Sequence, residues 1–210
     1  MTSEYRAFAL EIGGLFKADK RLHFSGGRVH FKAGRVAGAF WVVPWGRNRS
    51  GGTHLQYGWS PRHRLFLRPE GFFDPIAKGL GLQDLKVGNA RFDRAFLIQG
   101  SPSATVLRAL GPETQTLLLR LSKLAKGRGP TLQINEEGTY LRLSCETPRK
   151  DWGKVVELGN AIMRTFTPKA EDEPCSLCAK AIAGRSRRCR GCKSLYHRKC
   201  WEARGGCDCP

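Results

Sequence analysis

The sequence lacks any apolar run long enough to cross a membrane as a helix, which takes about 20 residues. The longest candidate, Ala37 to Trp45, is interrupted by Pro44. The first residues, Met-Thr-Ser-Glu-Tyr, also lack the basic start and apolar core of a secretory signal peptide. We therefore expect a soluble, cytoplasmic protein that does not bind a membrane.

Motifs typical of common enzymes are missing as well. The chain contains no P-loop, no G-x-S-x-G nucleophile elbow and no H-E-x-x-H motif. His23, His30, His54 and His63 are scattered, with no carboxylate at a spacing that would indicate acid–base catalysis. We therefore predict no catalytic side chain, and we interpret the first 167 residues as a region that positions a substrate or a partner.

Acidic residues are few: 18 Asp and Glu stand against 36 Lys and Arg, which gives a net charge of +18. Apolar residues make up 40% of the chain, enough for a packed core, so the charge does not indicate disorder. A basic surface favours an acidic protein partner. Arg residues also lie near Trp41, Trp45 and Trp59, which keeps nucleic acid as an alternative partner.

Cysteine is concentrated at one end of the chain. Of eight cysteines, seven lie between Cys175 and Cys209, and Cys145 stands apart as a predicted core thiol. With one histidine, the seven form four pairs of candidate metal ligands: Cys175 and Cys178, Cys189 and Cys192, His197 and Cys200, Cys207 and Cys209. Two thiolates at C-x2-C spacing reach one tetrahedral Zn²⁺, and the cytosol keeps thiols reduced. We therefore predict two structural Zn²⁺ ions in closed sites.

Two pairings of the eight ligands are open. The sequential pairing places four consecutive ligands on each ion, so that the first ion takes Cys175, Cys178, Cys189 and Cys192. The interleaved pairing gives the first ion Cys175, Cys178, His197 and Cys200, and the second Cys189, Cys192, Cys207 and Cys209. We prefer the interleaved pairing, because it ties together both halves of a segment too short to fold on apolar burial alone.

The motifs of this segment carry a family resemblance. They read C-S-L-C, R-C-R-G-C, Y-H-R-K-C-W-E and G-G-C, in that order. Over residues 174–210 the chain resembles the bacterial RING-finger family, which has a similar order of four Cys, one His and three Cys. It departs from the family at the last pair, because Cys207 and Cys209 are separated by a single residue.

The resemblance implies a cross-braced double-zinc finger that acts as a RING-type E3 ligase in a bacterial ubiquitin-like conjugation pathway. Such a finger binds a charged E2 enzyme and orients ubiquitin or a ubiquitin-like modifier for attack by a lysine of a protein substrate, without a covalent intermediate. The positions that match the family's E2-binding groove are Leu177, Ile182, Trp201 and Pro210. The alternative is a non-catalytic zinc-finger adaptor or a nucleic-acid-binding protein.

The remaining chain predicts an α+β fold with a β-rich first part. Residues 1–83 form the β-rich N-terminal region, with a hairpin around 25–27 that joins strands 21–24 and 28–31. Further strands are predicted at 36–43, 54–59 and 64–68, where apolar residues alternate between Gly and Pro punctuation.

Residues 84–167 form an α+β region, either separate from the preceding region or in one domain with it. Strands are predicted at 85–87 and 96–98, and a hairpin around Glu137-Gly138. Helices are predicted from a Ser103 cap, from Pro112, and over 152–166. Residues 168–174 are a polar linker bounded by prolines, and residues 175–210 are the RING-like zinc finger.

Overall fold

The structure is a computed structural model, and it divides the chain into two compact units, residues 1–165 and 166–210. It describes residues 2–18, 27–46, 51–59, 63–70, 84–126, 129–166, 175–178, 180, 186–189 and 194–207. The strand 21–24 and the linker 168–174 that the sequence predicts lie outside the described residues.

The first unit is built on one eight-stranded antiparallel sheet. Its strands are β1 (Leu15–Ala18), β2 (Gly27–Ala33), β3 (Val36–Val43), β4 (Gly52–Tyr57), β5 (Arg64–Pro69), β6 (Phe96–Ser101), β7 (Pro130–Asn135) and β8 (Gly138–Leu143). The strand order is β1-β2-β3-β4-β8-β7-β5-β6. Strands from both sides of residue 84 therefore alternate within a single sheet.

The helices described in this unit are short to medium in length. They are α1 (Thr2–Glu11), α2 (Ala90–Ala95), α3 (Ser103–Ala109), α4 (Pro112–Leu124) and α5 (Trp152–Phe166). Pro112 is the first residue of α4, where its missing N–H leaves no helical bond unmade. Asn89 caps α2 by accepting hydrogen bonds from the backbone N–H groups of Arg91 and Phe92.

Side-chain alternation gives the sheet an apolar face and a polar face. In β4 and β8 the buried residues recur at every second position, as a strand with one face on the core requires. The apolar face carries the large buried side chains of the unit, among them Val29, Phe40, Leu55, Tyr57, Leu65, Leu67, Ile98, Leu132 and Leu141. The polar face carries the side chains between them.

An aromatic cluster joins helix α1 to the sheet and to helix α5. The Trp152 ring lies 4.9 Å from that of Tyr5, 5.4 Å from that of Phe8 and 5.2 Å from that of Phe40, measured between centroids. The Tyr5 hydroxyl accepts a hydrogen bond of 2.8 Å from the Val42 N–H, and burial raises the pKa of Tyr5 to about 12. Such contacts fix α1 on the apolar face.

Helix α5 lies close to the sheet at Gly159. A Cβ atom on Gly159 would lie 2.4 Å from a Leu55 methyl carbon and 2.5 Å from the Tyr57 hydroxyl. Both neighbours are almost fully buried, so neither can move aside freely. The adjacent Asn160 accepts a hydrogen bond of 3.0 Å from the same Tyr57 hydroxyl, which fixes the helix in register with β4.

The second unit contains a short hairpin and a helix. Strand β9 (Ser186–Arg188) pairs antiparallel with β10 (Leu195–His197), and helix α6 (Arg198–Arg204) follows directly. The helix ends at Gly205, whose φ of 73° places it in the left-handed region that favours glycine. Among the residues described in this unit, the buried cluster consists of Cys175, Cys189, Leu195 and Tyr196.

The α+β class that the sequence predicts is confirmed, with a large antiparallel sheet and several helices. The strand predicted at 85–87 is wrong: its described residues form no strand, although the Leu85 N–H donates to the Ile98 carbonyl. Ser103 is the first residue of α3 rather than its cap, a position that Pro102 occupies. Cys145 lies beyond the end of β8 and is half-buried, so it is not a core thiol.

None of the helices in the described part of the chain is long and apolar enough to cross a membrane.

The close approach at Gly159 gives a paired stability prediction. We expect Gly159→Ala to lower the free energy of unfolding by about 1–3 kcal/mol, because the methyl group overpacks a filled core. Gly153→Ala in the same helix is the control, since its Cβ would meet only a Glu11 carboxylate oxygen at 3.7 Å. Denaturant unfolding followed by tryptophan fluorescence measures both. Equal effects of the two substitutions would show that α5 does not depend on this contact.

Candidate metal centre

Four predicted ligands come together in the second unit. The ligand atoms of Cys175, Cys178, His197 and Cys200 all lie within 4.8 Å of one another. The Nδ1 atom of His197 lies 3.4 Å from the Sγ of Cys178 and 3.8 Å from the Sγ of Cys200. A tetrahedral zinc ion with bonds of about 2.0 Å to nitrogen and 2.3 Å to sulfur would hold these atoms about 3.6 Å apart. The group therefore has the dimensions of a metal site.

The local backbone brings the two halves of this group into place. Cys175 and Cys178 lie on a turn that is closed by a 2.9 Å hydrogen bond from the Cys175 N–H to the Lys180 carbonyl. The Ser176 N–H donates a 2.9 Å hydrogen bond to the Leu195 carbonyl, which attaches the turn to β10. His197 ends β10 and Cys200 lies in the first turn of α6. Ligands far apart in sequence are thus adjacent in space.

The thiols in this group differ in acidity. Burial raises the pKa of the Cys175 thiol, but the backbone N–H groups of Cys178, His197 and Leu177 outweigh this effect and hold the pKa at about 6. Burial, and then the hydrogen bonds and charges of Cys175 and Cys178, raise the pKa of Cys200 to about 11. Sulfur atoms this close repel one another as thiolates. A divalent cation removes that conflict, because it deprotonates the thiols that coordinate it.

The charge around the group fits a bound divalent ion. Three thiolates and one neutral imidazole around Zn²⁺ carry a net charge of −1. Lys180, Arg198 and Lys199 border the ligand group, and Arg198 pairs with Glu202 at 2.7 Å. The surrounding cations therefore offset the charge that the loaded site would carry. With four protein ligands, such a site has no open position for a reacting water.

The remaining predicted ligands are described only in part. Cys189 is buried. Cys207 packs against the buried cluster that contains Cys189 and Tyr196. The Tyr196 hydroxyl lies 3.2 Å from the Sγ of Cys207, and either atom can be the donor. Cys192 and Cys209 lie outside the described residues.

The predicted E2-binding residues are also divided between described and undescribed positions. Leu177 lies between the first two ligands with 41% of its surface exposed, which is a large exposure for a leucine. Trp201 is half-buried, and its ring centroid lies 5.3 Å from that of Tyr196 in an edge-on contact. Ile182 and Pro210 lie outside the described residues.

Sequence reasoning did not identify which nitrogen of His197 lies beside the cysteine sulfur atoms, Nδ1, or the exposure of Leu177. Neither geometry is encoded by ligand spacing alone. The proximity of Trp201 to the ligands did have a sequence signal, because it follows Cys200 directly.

No family model matches the sequence, and no curated protein matches it. Among solved structures, the chain is similar to the mycobacterial trehalose monomycolate transport factor A, TtfA, with a TM-score of 0.52 and 13% sequence identity. The match covers 80% of this chain and 97% of that chain. At this level of identity the similarity describes the fold. Its extent is close to the share of the chain that residues 1–165 occupy.

The ligand geometry gives a prediction about metal content. We expect Cys178→Ser to lose at least one zinc ion per chain, because it removes one of four converging ligand atoms. Cys145→Ser is the matched control, since Cys145 belongs to the other unit. Elemental mass spectrometry of the purified proteins measures the content, and the absorption bands of a Co²⁺-substituted sample report sulfur coordination. Full zinc content in Cys178→Ser would contradict the assignment.

Proposed function

We propose that residues 175–210 form a zinc-braced, RING-like finger, and that the protein promotes transfer of ubiquitin or a ubiquitin-like modifier from a charged E2 to a lysine of a protein substrate. The observation that carries the proposal is the interleaved ligand group, which pairs Cys175 and Cys178 with His197 and Cys200. Two cysteines between these pairs, Cys189 and Cys192, are thereby left for another ion. This order of ligands is the one that the family resemblance implies.

A second Zn²⁺ completes the proposed finger. Its ligands are Cys189, Cys192, Cys207 and Cys209. The burial of Cys189 and the packing of Cys207 against the cluster that contains it support this assignment, because both thiols belong to one compact group. The metal would replace the apolar core that so short a segment lacks, and its binding energy would become folding energy. Both ions are therefore structural in the proposal.

The proposed mechanism depends on orientation and not on a catalytic side chain. The lysine amine of the substrate attacks the thioester carbonyl that links the modifier to the E2. An isopeptide bond forms, the carbon–sulfur bond breaks, the E2 cysteine leaves as the thiolate, and the amine loses a proton to solvent. The finger would hold the E2 and the modifier in a reactive arrangement, which reduces the entropic barrier of the attack.

The proposed E2 surface is centred on Leu177 and Trp201. An exposed leucine beside a proposed metal ligand makes little contribution to folding, so its exposure supports a docking role. Trp201 presents a large amphipathic ring of the kind that dominates protein interfaces. Ile182 and Pro210 complete the surface in the family pattern. The first unit would recruit the substrate, and the reaction would take place in the cytoplasm, where thiols remain reduced.

Reconstitution tests the proposal directly. The zinc-loaded full chain is mixed with E1, E2 and modifier from the same genome, and the conjugate is measured by gel. We expect conjugate above the level that E1 and E2 give alone. Trp201→Ala and Leu177→Ala should each reduce it by about tenfold, the effect of losing one interface anchor.

Trp45→Ala is the matched control, because Trp45 is 53% exposed and lies in the other unit. It should leave conjugation unchanged. Zinc content is measured in every variant, so that a loss of folding is distinguished from a loss of docking. If the wild-type chain gives no conjugate above background while it holds two zinc ions, it is a zinc-finger adaptor without transferase activity.

A further inference from the structure

The positive charge of the sheet is confined to one face. The described strands β1–β8 contain no Asp or Glu, and their basic residues are Lys17, Arg28, Lys32, Arg64, Arg68 and Arg142. Five of the six alternate with buried residues of the apolar face, and Lys17 lies directly opposite Arg28, so all six share the polar face. Arg64, at one end, forms an ion pair with Glu136. With six basic side chains and no carboxylate from its own strands, the polar face is an extended cationic surface.

One row of side chains crosses this face from β1 to β8, and contacts within the row hold its cations in place. The register places Lys17 opposite Arg28, Trp41 opposite His54, and His54 opposite Arg142. The Arg28 guanidinium lies 4.4 Å from the centroid of the Trp41 ring, a cation–π contact. The His54 ring stacks on Trp41 at 5.0 Å with an interplanar angle of 5°. These contacts fix the long Arg28 side chain along the sheet.

Two side chains of this row, His54 and Trp41, are neutral, so the arginines carry its charge. Burial, and then the charges of Arg142 and Arg28, lower the pKa of His54 to about 4. His54 is therefore uncharged near pH 7. Trp41 is bordered by β2 and β4 and contacts Arg28 and His54, so its ring faces are used within the sheet. Trp41 is therefore not one of the rings that this face offers to a ligand.

A second row, parallel to the first, offers amides and aromatic rings. It consists of residues that lie opposite one another on the neighbouring strands β4, β8, β7, β5 and β6. In that order they are Gln56, Tyr140, Gln133, Phe66 and Gln99. Gln56 donates a 2.9 Å hydrogen bond to the Tyr140 hydroxyl and accepts a 3.3 Å hydrogen bond from Arg28. Tyr140 and Phe66 are partly exposed, and Gln133 between them is exposed. The row combines hydrogen-bonding amides with rings at regular strand spacing.

We propose that the polar face of the sheet binds single-stranded nucleic acid. Arg28, Arg142 and Arg68 contact its phosphates, while Tyr140 and Phe66 stack on its bases. The cations give the salt-dependent attraction that any phosphate backbone experiences. The adjacent aromatic row adds contacts that are tolerant of base sequence, since every base has a π-face. The amides of Gln56, Gln133 and Gln99 supply donors and acceptors for base edges.

Single strands fit this face better than the other polyanions. An acidic polypeptide would use the arginines but would leave the aromatic row without a ring to stack on. An anionic membrane would require fully exposed apolar side chains that insert beside the cations, whereas Phe66 and Tyr140 are only partly exposed and the exposed residue between them is the amide Gln133. The bases of a duplex are stacked internally, so its rings could not reach Tyr140 and Phe66.

Fluorescence anisotropy with a labelled 20-nucleotide oligo(dT), and with oligo(U), tests the proposal on the full chain over a series of salt concentrations. We expect Arg28→Gln combined with Arg142→Gln to weaken binding about tenfold or more. The slope of log affinity against log salt should fall by about 1.4, the share of two phosphates on a single strand. Phe66→Ala should weaken binding about tenfold, in the range measured for one stacked base.

The controls separate this face from general electrostatic attraction. Arg108→Gln combined with Lys123→Gln removes the same charge from exposed positions of α3 and α4, and should change affinity less than twofold. Polyglutamate of equal charge and vesicles containing phosphatidylserine serve as competing probes. Phe66→Ala should leave their binding unchanged.

Three outcomes would overturn the proposal. The first is an equal loss of affinity in the control double variant, and the second is polyglutamate or vesicle binding that is tighter than oligonucleotide binding. The third is Phe66→Ala binding oligonucleotide as wild type does while its thermal unfolding is unchanged. Thermal unfolding of each variant, followed in parallel, ensures that folded proteins are compared. None of these measurements depends on the finger, so they remain informative if the proposed ligase activity fails.

Discussion

The convergence of Cys175, Cys178, His197 and Cys200 is the constraint that joins distant parts of the second unit. Among the residues described in this unit, the buried cluster contains four, and two of them are cysteines. Apolar burial of that extent does little to offset the entropy of ordering a segment. An ion held by a turn, a strand end and the first turn of a helix would join three local structures that otherwise have little to hold them together.

The first unit is stabilised in a different way. Its sheet has a filled apolar face, covered by helices that include α1 and α5, and the aromatic cluster around Trp152 ties these two helices to β3. Burial on this scale needs no metal. The opposite face is polar, and Arg28 on it is supported by stacking on Trp41 and by a hydrogen bond to Gln56. One unit thus offers a preorganised surface, and the other a group of residues that could hold a metal ion.

Local patterns predicted the elements whose residues carry their own signal. The alternation around Glu137-Gly138, the Pro112 helix start and the amphipathic run from Trp152 all correspond to elements of the structure. Helix α1 was not predicted, because only Tyr5, Phe8 and Ala9 of its residues are buried and the apolar pattern is weak. Strand β1 was not predicted either, because its residues are largely exposed. The pairing of β4 with β8 joins distant segments, so no local pattern could indicate it. The polar face depends on that pairing, so local sequence patterns could not indicate it either.

Anomalous diffraction at the zinc absorption edge would show whether the proposed finger binds zinc through interleaved ligands. We expect two anomalous peaks per chain. One should be bound by Cys175, Cys178, Cys200 and the Nδ1 of His197, and the other by the remaining four cysteines of the finger. A single peak, or an ion shared by Cys175, Cys178, Cys189 and Cys192, would contradict this expectation.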